Sequence, residues 1–200
     1  MNRTLTLSAM AALALGATAC QQQGTTVSEN QPQAEELNVA DEPGVENMTA
    51  SSAVPPAPAF AATAAGSDLF EIESGKLAQA KGSSAGVKRF GAELVSEHTK
   101  SSNELKAAVA RIQPPVALPT APPIELQTKL QTLQGLSGEA FDKQFIADQI
   151  VSHKQTLTAL NGYIAGGDNP ALREWARRST GMVQKHLQQL DRMSTGNASQ

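Results

Sequence analysis

Between Val87 and Ile112, core-facing positions recur at alternating intervals of four and three residues: Val87, Gly91, Leu94, His98, Ser101, Leu105, Ala108 and Ile112. Charged residues occupy the remaining faces, so the stretch reads as an amphipathic helix laying one seam into a bundle. A second seam runs through Ile146, Ile150, His153, Leu157, Leu160 and Ile164, and a third through Leu172, Ala176, Ser179, Val183, His186, Leu190 and Met193. Each seam carries one histidine. Since the chain has three histidines in all, every imidazole is expected to face the core.

Breakers and caps divide these seams into helices. Ser67, with Asp68 in the opening turn, predicts a first helix reaching about Lys81, because a hydroxyl cap and an early carboxylate both suit a helix N-terminus. Its stripe through Phe70, Glu73, Leu77 and Ala80 puts Glu73 on the seam and Glu71 on its flank. Gly82-Ser83-Ser84 ends it and caps the long second helix. Pro114, Pro115, Pro119, Pro122 and Pro123 forbid continuation and predict a rigid crossover. Ile124, Leu126, Leu130 and Leu133 suggest a short third helix. Ser137 is the expected cap of a fourth helix from Gly138 to about Ala165, anchored by Phe141 and Phe145. Gly162 and Gly166, at helical spacing, suggest close helix contact, and Gly166-Gly167 closes the helix. Asn169-Pro170 opens a fifth that runs to about Met193, with 195–200 expected to fray. Aromatic residues make up only 4% of the chain, which favours helices over sheet. The expected fold is therefore all-α, a bundle of four to five helices over 61–194.

The beginning of the chain changes the picture of where this bundle works. Arg3 precedes an apolar run from Leu5 to Leu15 that closes on Gly16-Ala17-Thr18-Ala19-Cys20. The run is too short to span a bilayer, so 1–19 reads as an export signal. The chain's single cysteine directly follows the small-residue cleavage site and looks like a bacterial lipobox, with Cys20 lipidated as the mature N-terminus. Plain secretory cleavage is the alternative, with the domain soluble in the periplasm. Gln21 after Cys20 resembles the pattern of lipoproteins sent to the outer membrane. The stretch from Cys20 to about residue 60, with its acidic residues and the run Val54-Pro55-Pro56-Ala57-Pro58, reads as a disordered, partly stiff tether. It takes six of the nineteen acidic residues and no Lys or Arg. The helical part is consequently near neutral, and no basic run or aromatic platform points to nucleic acid.

Several segments then resemble one family. Glu71-Ile72-Glu73-Ser74-Gly75-Lys76-Leu77-Ala78, Val87-Lys88-Arg89-Phe90 and Glu97-His98-Thr99 resemble the first half of the DUF4142 family. Leu136-Ser137-Gly138, Phe141-Asp142 and His153 continue the resemblance, and His186-Leu187 completes it near the end. The match covers roughly Ala61 to Met193. It implies a ferritin-like bundle in exported bacterial proteins, with no established biochemical activity. One departure is Gly181-Met182, where members often carry Leu-Pro.

Two readings of the histidines stand side by side. In one, His98, His153 and His186 converge and, with Glu71 or Glu73, hold Zn, Cu or Fe in a three- or four-ligand set. In the other they form a core polar network with Ser101, Ser179, Gln149 or a Glu, fixing helix register. The first requires the three rings to meet; the second leaves them apart or paired to serine and backbone. A ferritin-type di-iron centre needs Glu-x-x-His, whereas Val95, Ile150 and Val183 stand three residues before the histidines. No Ser-His-Asp order, phosphate-cradling glycine loop or redox Cys pair appears, so no reaction is assigned. The sequence thus describes an envelope lipoprotein whose bundle acts as a structural or binding module, with metal binding as the alternative. A homo-oligomer is compatible with it, and no protein partner is named by it.

Overall fold

A computed structural model describes residues 54–197. The signal segment 1–19, Cys20 and the tether up to residue 53 lie outside the described residues. Five helices make up the fold: α1 (Ala57–Lys81), α2 (Ala85–Val109), α3 (Ile124–Gly135), α4 (Gly138–Gly166) and α5 (Pro170–Asn197). Among the described residues there is no strand, and no helix is long and apolar enough to cross a membrane. The expected all-α bundle is what the structure shows.

The pairing of helices defines its topology. α1 packs against α2 and α4 against α5, and the two hairpins meet through α2–α5 and α1–α4 contacts. Cross-links that run in opposite senses, Ser67–Thr156 with Ser74–Gln149 between α1 and α4 and Glu93–Gln189 with Glu104–Arg178 between α2 and α5, show that these neighbours are antiparallel. The order is up-down-down-up, so the segment from Ala110 to Ser137 must cross the length of the bundle. α3 rides in that crossover against α1 and α4. Four long helices with one long crossover are the ferritin-like arrangement.

The interior is layered. One apolar cluster gathers Phe60, Leu105, Leu160, Tyr163, Leu172 and Trp175 at one end. Another gathers Phe90, Leu94, Leu133, Phe141, Phe145 and Leu190 at the other. Between them lies a polar layer of Asp68, Glu71, Ser74, His98, Ser101, Gln149, Ser152, His153 and His186, all buried. This layer interrupts the core at a common height on α1, α2, α4 and α5. All three histidines and most of the seams predicted for α2 and α5 are buried, whereas on α4 Ile150, Leu157 and Ile164 are half-buried because the face turns toward Phe145, Gln149, Ser152 and Tyr163.

Helix α1 departs from the expectation. It begins ten residues before Ser67, with Pro56 as its cap and Pro58 in its first turn, where a missing N–H costs nothing. Ala57–Phe60, expected as tether, are therefore helical. The Ala57 amide donates to Asp168 Oδ2, tying this end to the α4–α5 turn. Ser67 lies mid-helix and hydrogen-bonds Thr156 across to α4. The buried face runs through Phe60, Ala61, Asp68, Glu71, Ser74, Gly75 and Ala78, so small and polar residues hide the seam from a hydrophobicity count. At the other end α5 continues through 195–197, where the sequence predicts fraying.

The caps divide likewise. Ser84 accepts from the Val87 amide, and Asn169 Oδ1 accepts from the Ala171 and Leu172 amides, as expected. Ser137 makes no capping hydrogen bond. Instead, Asp142 reaches from α4 to accept from the Ser83 and Ser84 amides, both at 2.8 Å, so a carboxylate on another helix holds the start of α2.

The close backbone approach also lies elsewhere than predicted. A side chain at Gly162 would meet nothing within 4 Å, and one at Gly166 would meet only Val54. Gly75 and Gly91 are the contact points. A Cβ on either would sit 2.6 Å from the other's carbonyl oxygen, so α1 and α2 touch through backbone.

Candidate metal centre

His98 on α2, His153 on α4 and His186 on α5 converge in the polar layer. Their ring centroids are 5.2–5.9 Å apart. One ligand nitrogen from each lies within 4.8 Å of the others. Nitrogens around a tetrahedral zinc sit roughly 3.3–3.5 Å apart, given bonds of about 2.0–2.1 Å, so modest ring rotations close the difference. Phe90 presents its edge to His186 with centroids 5.4 Å apart and roofs the cluster.

Hydrogen bonds fix which nitrogens are free. His98 Nδ1 donates to Asp68 Oδ1 at 2.7 Å, and Ser102 donates to the other carboxylate oxygen. In the neutral ring the lone pair falls on His98 Nε2, which is buried without a partner. His153 Nδ1 faces the Gln149 carbonyl at 3.0 Å; a carbonyl only accepts, so Nδ1 carries the proton and Nε2 the lone pair. That lone pair faces His186 Nδ1 at 3.1 Å, making His186 Nδ1 the donor. His186 Nε2 then bears a lone pair as well. It lies 2.9 Å from Glu97 Oε2, yet out of alignment for a hydrogen bond. Two electron-rich atoms this close are arranged like two ligands of one cation.

The electrostatics favour neutral rings at His153 and His186, and the charged form at His98. Burial and the neighbouring His98 and His186 rings hold His153 well below the usual histidine range. Burial and His98 lower His186 to about 4, against the pull of Glu97 and Glu93. For His98, burial alone would lower the value, but Asp68, with Glu71 and Glu97 behind it, raises it overall. Glu71 stands apart. Its oxygens are buried and unpartnered, and burial pushes the carboxyl up to about 7 against the opposing pull of His98.

The sign of that shift gives a test. In metal-free protein the folded state keeps a proton on Glu71 between about 4.5 and 7, whereas the unfolded chain has lost it. Stability from this group is full below that window, falls as pH rises through it, and is gone above about 7. Glu71→Gln removes the titration. In urea denaturation with chelator, the variant should match the parent near pH 4.5 and exceed it near pH 8 by an amount on the order of 3 kcal/mol. Parallel pH profiles for the two proteins would contradict the assignment.

The other candidate ligands separate. Glu71 lies behind His153, 3.8 Å from Nδ1, so it backs the ring and is not one of the three clustered ligands. Glu73 is half exposed and pairs with Lys76 at 2.7 Å. It points away from the cluster, because the true face of α1 is set by Phe60, Asp68 and Glu71. Of the residues the sequence reading offered as network partners, Ser179 and Ser101 are buried nearby, and Gln149 serves through its carbonyl. Asp68, Glu97 and Ser102 also adjoin the cluster, and none of them is among the residues expected there from the sequence. Asp68 was hidden by its placement in an opening turn. Glu97 could have been found, since it precedes His98 and shares the helix with it.

A cleft of about 350 Å³ reaches the cluster from the side of α1, α4 and the start of α3. Its walls include Phe60, Leu160, Trp175, Met182 and Val183, and His98, Asp68, Ser101 and Ser152 also line it. The Ser101 and Ser152 hydroxyls have no hydrogen-bond partner.

A family defined as "domain of unknown function (DUF4142)" matches residues 42–193. The chain belongs to the DUF4142 family. Neither the characterised proteins nor the solved structures include a match to it. Within this DUF4142 member the resemblance segments fall at structural joints: Asp142 holds the α1–α2 turn, Gly75 seats α2, and the three histidines meet. Gly181-Met182, the departure from the family pattern, lies within an unbroken α5, and His186 remains fully buried.

Proposed function

We propose that this DUF4142 protein is an exported lipoprotein whose bundle binds a first-row transition metal through His98, His153 and His186. The observation that carries the metal reading is the convergence of three buried imidazoles, with one ring nitrogen from each within 4.8 Å of the others and His98 Nε2 left without a partner. Imidazole ligands suit Zn²⁺, Cu²⁺ and Fe²⁺. Asp68 and the Gln149 carbonyl would orient two of the rings, the role that carboxylates and carbonyls take behind metal-bound histidines. Three protein ligands leave a coordination position for water or a small ligand. A core built only for helix register favours fully satisfied polar groups, and the orphaned His98 nitrogen and the misaligned His186–Glu97 contact argue against that reading.

Calorimetric titration of the full-length chain with Zn²⁺ tests it. One equivalent binding at micromolar concentration or tighter is expected; a flat titration with Zn²⁺, Cu²⁺ and Fe²⁺ would leave the cluster as packing. The lipoprotein part rests on the export-type segment ending at Cys20. Acyl chains would supply the anchoring, so Cys20→Ser should move the protein from the membrane pellet to the soluble fraction. A variant that still pellets would remove the anchor.

A further inference from the structure

Glu93 and Glu97 lie one turn apart on α2 and face α5. With His186 they form a second group whose ligand atoms all lie within 4.8 Å of one another. This group overlaps the histidine cluster only at His186. The chain supplies its own cation here: Lys185 Nζ pairs with Glu93 Oε1 and lies 3.1 Å from Glu97 Oε1. Gln189 donates to the remaining Glu93 oxygen at 3.0 Å.

An exposed Lys–Glu cluster alone is an ordinary surface pairing of small energy. Two observations set this one apart. His186 is fully buried and turns an unpartnered Nε2 toward the carboxylates, 2.9 Å from Glu97 Oε2. A groove of about 400 Å³ between α2 and α5, lined by Glu97 and Lys185 among others, opens the same spot to solvent. The groove therefore leads from solvent to Glu97, which stands against a ring shared with the buried cluster, and Glu93 lies one turn away.

We propose that Glu93, Glu97 and His186 form an outer divalent-cation site through which metal reaches the three-histidine cluster, with Lys185 as its displaceable occupant. The inference rests on the metal reading of that cluster. A divalent ion outcompetes a single ammonium for two carboxylates, and the half-exposed Lys185 has room to swing into the groove. His186 offers Nε2 to the outer group and Nδ1 toward His153. Transfer inward then moves the ion from Nε2 to Nδ1 of one ring while the ring's proton passes from Nδ1 to Nε2, with no backbone movement.

The test follows Co²⁺ loading of the full-length protein by visible absorption, which reports coordination. Glu93→Gln/Glu97→Gln should slow loading at least about tenfold while reaching the same final spectrum. Lys185→Met should speed loading by about three- to tenfold. Glu73→Gln, an exposed carboxylate elsewhere, should leave the rate unchanged. Parent-like rates in the double variant would overturn the outer site and leave the cleft beside His98 as the route. Loss of the final spectrum in the double variant would overturn it too, by making the carboxylates ligands of a single centre. A parent protein that takes up no Co²⁺ removes the histidine reading itself, and the outer site with it.

Discussion

The His98→Ala protein should bind zinc at least about 100-fold more weakly and, stripped of metal, should lose about 3 kcal/mol of stability. The two losses have different origins. The first removes one of three converging nitrogens, the one whose lone pair has no other partner. The second arises behind the ring. Asp68 is buried, and its partners are His98 Nδ1 at 2.7 Å and Ser102 at 3.2 Å. Without the imidazole, a buried carboxylate keeps only a hydroxyl, and an uncompensated buried charge is costly. Adding Asp68→Ala to His98→Ala should therefore recover part of the stability while zinc affinity stays lost. Urea denaturation in chelator measures the one and calorimetry the other. A double variant no more stable than His98→Ala would show that Asp68 was not strained by losing its partner.

Gly91→Ala should cost about 3 kcal/mol, a large effect for one methyl group. The new Cβ would sit 2.6 Å from the Gly75 carbonyl oxygen and 2.7 Å from Ala78 Cβ. Both neighbours belong to α1 backbone or to a carbon fixed to it, so relief requires moving the helix. That movement would reach the site, because α1 carries Asp68 and Glu71 into the polar layer. Gly162→Ala is the matched comparison: nothing lies within 4 Å of its Cβ, so the better helix former should stabilise by roughly 0.5–1 kcal/mol. Thermal unfolding of the two variants checks the contrast. A destabilised Gly162→Ala with a neutral Gly91→Ala would contradict the described α1–α2 contact.

Most of the architecture was legible because three of the four long helices advertise their seams. Val87 to Ile112 needs no tertiary information: its four-three spacing marks the buried face, and His98 falls on it. Helix α1 was not legible in the same way. Phe60 and Phe70 are buried, but the rest of its face is alanine, glycine, serine, Asp68 and Glu71, so carrying the stripe from Phe70 on to Leu77 and Ala80 exchanged the roles of Glu71 and Glu73. Proline misled at the same end, since Pro56 and Pro58 look like tether yet serve as a helix start. At the site, the sequence named the three histidines. It could not show that their rings share one height, because that depends on how far the crossover carries α4 back along the bundle. The roles of Asp68, Glu93 and Glu97 depend on contacts between helices, which no single stripe reveals.

The most direct measurement is metal content of the full-length chain, purified without an affinity tag, together with melting curves before and after chelation. The metal account predicts about one equivalent of a first-row metal per chain, a melting temperature that falls on chelation, and recovery when Zn²⁺ is restored. Protein that is metal-free as isolated, with a melting temperature unmoved by chelator or by added Zn²⁺, Cu²⁺ or Fe²⁺, would contradict it.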